Sequence, residues 1–273
     1  MITTYLVTGD LHGRLDRFFN LHYKYNPQET VIICLGDCGF NFWLNNKDYK
    51  MKQQATELGF TFYCVRGNHE ARPQSLSRMT IKYDEEIAGM VYYEPEFPTI
   101  RYLLDGGEYN IDGYTTLVIG GAYSVDKWYR LLRNGYTEEN NNPKATGWWA
   151  DEQLTMEEMA EIAKRVQGRH FDLILTHTCP ISIEPVDLFL PMVDQSKVDK
   201  SMERFLEMIK NRCYFDVWLA GHFHTDRIEI PKFEFFYTHI EELDKIINRW
   251  IEYKNTGKLD NNLQKSPKFL DYC

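Results

Sequence analysis

The chain has 273 residues, 43% of them hydrophobic, and a formal net charge of -9. This length can bury a full core in one large domain, alone or with an appendage, and the acidic balance argues against a broad electrostatic footprint for nucleic acid. No stretch is long and apolar enough to span a bilayer, and the start MITTYLVTGD lacks the basic, apolar and cleavage regions of a signal peptide, so a cytoplasmic protein without a membrane partner is expected.

In chain order, ITTYLVT, RLDRFFNLHYKYN, TVIICL, DYKMKQQATELG and FTFYCV alternate strand-like runs with segments of helical character, giving a β-α-β-α-β start. In such an arrangement functional side chains collect in loops beyond the carboxyl ends of the strands. After GNHEARP come TIRYLL, EYNI and YTTLVIGGAYS, whose Gly-Gly and Asp-Gly punctuation predicts hairpins. NGYTEENNNPKATG reads as an exposed loop, and WWADEQLTMEEMAEIAKRVQG as a helix closed by Gly168. FDLILT is a strand, SKVDKSMERFLEMIKNR a helix and YFDVWLA a strand, with RIEI and FEFFYTHI as closing strands. A main domain is expected over residues 1–240, and a tail over 241–273 that begins with the amphipathic helix EELDKIINRWIEYKN.

Five of the strand-like runs end in residues of ligand type. They are Asp10 and His12 in VTGDLHG, Asp37 in LGDCG, Asn68 and His69 in RGNHE, His177 in LTHTCP, and His222 and His224 in AGHFH. Each motif alone reads equally well as a turn or a helix cap. Together they supply mixed oxygen and nitrogen donors suited to Mn, Fe or Zn. Two metals about 3.5 to 4 Å apart need a bridging carboxylate, imidazoles for each, and open positions for water and a phosphate oxygen. Asp37 is the natural bridge.

The order and content of these motifs resemble the calcineurin-like metallophosphoesterase family, whose pattern runs D-x-H, GD, GNH followed by D or E, a lone His, and GHxH. The resemblance covers about residues 5 to 240. It implies a four-layered αββα sandwich of two mixed β-sheets. It further implies that Asp10, His12, Asp37 and His224 bind one metal, that Asp37, Asn68, His177 and His222 bind the other, and that His69 is catalytic. The expected chemistry is hydrolysis of phosphate esters by a metal-bridging hydroxide, with His69 serving the leaving group and an acid such as Asp37 or Glu70 orienting it. The expected cofactors are two divalent or trivalent ions, Mn or Fe ahead of Zn, and the expected partner is a small phosphorylated substrate, with nucleic acid disfavoured by the net charge. A nuclease, a cyclic phosphodiesterase and a non-catalytic metal-binding scaffold are the alternatives.

The sequence departs from the family pattern after Asp37. Many members continue as GDxxD, and the protein serine/threonine phosphatases as GDxxDRG with a phosphate-contacting arginine, whereas here Phe40 and Asn41 stand in those places. Phosphate gripping is then expected from the metals, Asn68, His69 and, among the flanking arginines 14, 66 and 72, from Arg72. GGAYSVDKWYR resembles a segment of bacterial and phage members, in which Tyr123, Lys127 and Arg130 would shape access. Trp148 and Trp149 are expected in the core, His22 and His170 in structural roles, and the six cysteines, with no CxxC pair, as reduced thiols.

Overall fold

The computed structural model describes residues 4–133 and 147–259. Its first sheet runs, edge to edge, β13 (Glu241–Glu242), β1 (Thr4–Thr8), β2 (Thr30–Cys34), β3 (Thr61–Cys64), β6 (Ile100–Leu103), β5 (Gly89–Tyr93) and β4 (Thr80–Asp84). The second runs β11 (Arg227–Glu229), β12 (Phe233–Phe235), β10 (Tyr214–Ala220), β9 (His170–Thr176), β8 (Tyr114–Ile119) and β7 (Gly107–Ile111). Both are mixed: β1, β2, β3 and β6 are parallel in one, β8, β9, β10 and β12 in the other, and the outer strands pair antiparallel.

The central strands read as continuous apolar runs because both of their faces are covered. Val31 and Ile33 of β2 join Val7, Tyr63, Leu173, Leu175, Val217 and Leu219 in a core between the sheets. Ile32 and Cys34 point the other way, into a second core with Phe62, Phe18 and Ala55. Ala55 belongs to helix α1 (Asn46–Glu57), whose first turn is capped by the Asn45 side chain accepting from Lys47 N at 2.9 Å. On the far side, α3 (Met156–Val166) and α4 (Ser201–Arg212) bury Met159, Ile162, Phe205 and Leu206 against the second sheet. The result is the expected α/β, four-layered sandwich. The short α2 (Lys127–Arg133) follows β8, and α5 (Leu243–Thr256) sends Leu243, Ile246, Ile247 and Trp250 into the core between the sheets.

Several elements differ from expectation. RLDRFFNLHYKYN forms 3-10 turns at Leu15–Phe18 and Leu21–Tyr23, not an α-helix. Its inward residues Leu15, Phe18 and Leu21 are spaced by three, the repeat of a 3-10 helix. Arg17 pins the segment by donating to the carbonyls of Gly9 (3.0 Å) and Tyr237 (2.7 Å). The helix sought from Trp148 starts only at Met156, where Thr155 and Glu158 form a reciprocal capping box. FEFFYTHI stops being a strand at Phe235, since Asp226 takes the amides of Tyr237, Thr238 and His239 into a turn. The Asp112-Gly113 hairpin is present, with φ of 53° and 86°.

Trp149 is buried as expected, but His22 and His170 are exposed. Cysteines 34, 38, 64, 179 and 213 are free and buried. Most of the loop expected over NGYTEENNNPKATG, and the tail from residue 260 with Cys273, lie outside the described residues.

Candidate metal centre

Register brings the motifs together. Thr8 pairs with Cys34 and Cys34 with Cys64, so β1, β2 and β3 end level, and in the second sheet Thr176 pairs with Ala220. Asp10, His12, Asp37, Asn68, His69, His177, His222 and His224 all follow these ends. Five of the seven expected ligands, Asp10, His12, Asp37, His222 and His224, have φ between 40° and 70°, a region rare for residues with a Cβ. Strain of this kind persists where the surroundings fix it, and it gathers at functional sites. The close approach needs glycine beneath it: a Cβ on Gly36 would lie 2.0 Å from His177 Nδ1, and one on Gly67 would lie 1.9 Å from Asp37 Oδ1.

Asp37 is central. Its Oδ2 is 3.5 Å from His177 Nε2 and 4.0 Å from Nε2 of both His12 and His69, while its Oδ1 accepts from His69 N at 2.8 Å. His12 Nε2 and His224 Nε2 are 3.0 Å apart, and Asp10 Oδ1 is 3.8 Å from the latter. Two sets of donor atoms each fall within 4.8 Å of one another: Asp10, His12 and His224, and Asp10, Asp37 and His177. Asn68 Oδ1 lies 2.8 Å from His177 Nε2, and the rings of His222 and His177 are 5.0 Å apart.

A profile of the calcineurin-like phosphoesterases matches residues 3–226, well over half of the sequence. The chain belongs to the calcineurin-like phosphoesterase family. No curated protein matches it significantly. Family membership and the ligand groups together support a metal-dependent phosphoesterase.

The electrostatics of this phosphoesterase site favour a cation. Burial pushes Asp10 up to about 8 and presses His12 and His224 down to about 4, and it holds His222 well below the usual imidazole range. Burial alone would raise Asp37, but His177, His69 and His12 outweigh it and keep the carboxylate ionised. Burial alone would lower His177, but Asp37 more than offsets it and raises the imidazole to about 9. Near neutral pH without a cation, Asp37 is thus ionised, Asp10 and His177 hold protons that a bound cation would displace, and His12, His222 and His224 stay neutral with lone pairs to donate. That donor set fits metal ions such as Mn, Fe or Zn.

A second set of contacts fixes the donors. His177 Nδ1 donates to the Leu35 carbonyl at 2.8 Å, which leaves Nε2 facing the centre. The Asn68 amide donates to Ser124 Oγ at 2.8 Å, and Ser124 donates to Glu152 at 2.5 Å, so Asn68 Oδ1 faces inward. His222 N donates to both oxygens of Asp10, at 3.1 and 2.9 Å. Ser124 and Glu152 were not singled out from the sequence; the only signal was that Ser124 falls in GGAYSVDKWYR.

Arg72 does not fit the substrate-binding role expected of it. Buried to 5% exposure, it donates to the carbonyls of Asp151 (2.7 Å) and Gln153 (2.6 Å) and to Glu158 (2.6 Å). Its guanidinium is spent on fixing the chain before α3. Arg66 is similarly engaged by Asp105, Glu152 O and Gly120 O. Phe40 and Asn41 are fully buried, Phe40 against Phe62 and Asn41 beneath Lys52, which also pairs with Glu94. No anchor for phosphate is built at those two positions.

Proposed function

We propose that the protein hydrolyses esters of small phosphorylated substrates at a dinuclear metal centre. Asp10, His12, Asp37 and His224 would hold one ion, and Asp37, Asn68, His177 and His222 the other, with Mn or Fe preferred over Zn. The observation that carries this reading is the position of Asp37 Oδ2, within 4.0 Å of Nε2 of both His12 and His177, one imidazole from each ligand set. Bound there, the ions supply Lewis acidity that activates water near neutral pH and offsets phosphate charge. Asp37 stays ionised among the imidazoles and holds the two ligand sets together through its carboxylate. The His69 backbone is tied to Asp37 Oδ1, which keeps its Nε2 on the same side as the ligands, in position to give a proton to the leaving alkoxide. Asn68, with its amide orientation set by Ser124, would contact the substrate as well as a metal.

Elemental analysis after loading with Mn²⁺ should find two equivalents, and the loaded protein should cleave p-nitrophenyl phosphate. Comparison with bis(p-nitrophenyl) phosphate reads monoester against diester preference. Absence of metal together with no turnover of either ester sinks the proposal, and one tightly held ion would overturn its dinuclear part.

A further inference from the structure

The Nε2 of His224 faces the centre, 3.0 Å from His12 Nε2 and 3.8 Å from Asp10 Oδ1, and the His12 and His224 rings meet at 82° with centroids 5.0 Å apart. The backbone of His224 sits at a φ of 47°, and its side chain is partly exposed. A ligand imidazole is ordinarily aimed by a hydrogen bond at its other nitrogen, as His177 is by the Leu35 carbonyl. Among the described residues no such bond holds the Nδ1 of His224.

A flat contact takes its place. The ring of Tyr237 lies 4.6 Å from that of His224 at an interplanar angle of 13°, a parallel stack. Stacking covers a face of the imidazole and leaves its edge, with Nε2, to the centre. Tyr237 is itself firmly placed: its amide donates to Asp226 Oδ1 at 2.7 Å, and its carbonyl accepts from Arg17 at 2.7 Å. Asp226 is two residues beyond His224, so one carboxylate joins the chain that carries the ligand to the chain that carries the stacking ring. The preceding backbone is pressed against the Asp10 motif, since a Cβ on Gly9 would lie 2.1 Å from Phe236 O. Phe236 N also donates to Ala220 O at 2.8 Å, where β10 runs on to His222 and His224. An aromatic whose backbone is held on both sides offers a stacking face that is already in place.

We propose that Tyr237 is the positioning residue of His224: its ring sets the plane of the imidazole and so aims Nε2 at the ion held by Asp10, His12, Asp37 and His224. The inference rests on the reading of that set as a metal site. The family match, which ends at residue 226, does not reach Tyr237.

The test pairs Tyr237→Leu, which keeps apolar bulk without a flat face, with Tyr237→Phe, which keeps the ring. In NMR spectra of the metal-free wild type, the ring protons of His224 should be shifted upfield by the aromatic face lying over them. Tyr237→Phe should keep that shift and Tyr237→Leu should lose it. Titration with Mn²⁺ against a competing chelator should show one of the two ions weakened about 10-fold in Tyr237→Leu, at the low end for loss of a contact that orients a ligand, and the other unchanged. His224→Ala should abolish that same binding step, and Tyr237→Phe should bind both ions as wild type does. A wild-type His224 without the upfield shift overturns the inference with no variant. No weakening in Tyr237→Leu overturns it too, as does equal weakening of both ions, the mark of a general loss of structure. Equal weakening in the two Tyr237 variants would give the role to the hydroxyl and not to the stack. If the wild type binds a single ion, the dinuclear reading fails; the inference on Tyr237 then stands if Tyr237→Leu weakens that ion while Tyr237→Phe does not, and falls otherwise. If it binds none, the metal reading fails and this inference with it.

Discussion

Asn68 shows how one side chain is aimed by others. Its amide nitrogen is held by Ser124, whose own proton goes to Glu152, a carboxyl that burial raises to about 7. Ser124→Ala leaves the amide free to turn its nitrogen inward, where it would repel a cation. Metal affinity should fall about 10–100-fold, the range for loss of a contact that orients a ligand. Competition with a chelator measures this, and an unchanged affinity would show that Asn68 needs no orientation. The ligand-type residues were readable because each sits in a short motif at a strand end. Ser124 and Glu152 were not, because their partners lie far away in sequence and only packing joins them. Arg72 was misread for the converse reason: nearness to Asn68 and His69 in sequence says nothing of where a long side chain points.

At the scale of elements, the central strands were legible because burial on both faces leaves continuous apolar runs such as TVIIC. The pairing of β4 with β5 was not foreseen, since exposed positions at Thr80, Ile81 and Tyr83 dilute the apolar pattern of that edge. Arg72 acts at this scale, tying the loop after β3 to Glu158 in the first turn of α3. Arg72→Ala should lower stability by about 2–3 kcal/mol, a loss of charge-assisted hydrogen bonds at a partly exposed partner, and leave KM little changed. Urea unfolding beside steady-state kinetics separates the two; a large rise in KM with stability intact would restore the phosphate-gripping role.

Helix α4 bears on the site through Glu203, which accepts from Thr178 Oγ1 at 2.8 Å, next to His177. Burial is the chief cause that raises Glu203 from 4.5 to about 7, and its second oxygen has no partner. A folded-state pKa above the unfolded one means that its stabilising contribution is full below about 4.5 and is lost as pH rises through about 7. The loss is at most about 3 kcal/mol at 1.36 kcal/mol per unit. Glu203→Gln mimics the protonated form, so its thermal unfolding should gain on wild type at pH 8 and match it at pH 4.5. An equal difference at both would mean that Glu203 is not the titrating group.

On the scale of the whole molecule, the family match ends at residue 226, yet the chain beyond it ties the two sheets together. β11 and β12 extend the second sheet, β13 then pairs with β1 of the first, and between them the Tyr237 carbonyl accepts from Arg17, which also holds Gly9 beside Asp10. α5 follows and buries Trp250 to 4% exposure between the sheets, its Nε1 donating to Glu234 at 2.6 Å while Arg249 holds both oxygens of that carboxylate at 2.7 Å. The sequence reading saw an amphipathic helix here, but its hydrophobic spacing could not say that its apolar face would enter the central core. Trp250→Ala should therefore cost about 3–5 kcal/mol, as for a large aromatic removed from a packed interior. Phe19→Ala, removing an aromatic that is 53% exposed, should cost little. Urea titrations of the two variants make the comparison. A loss below about 1 kcal/mol for Trp250→Ala, within the range of ordinary surface substitutions, would mean that α5 merely leans on the sandwich and that the sheets hold together without it.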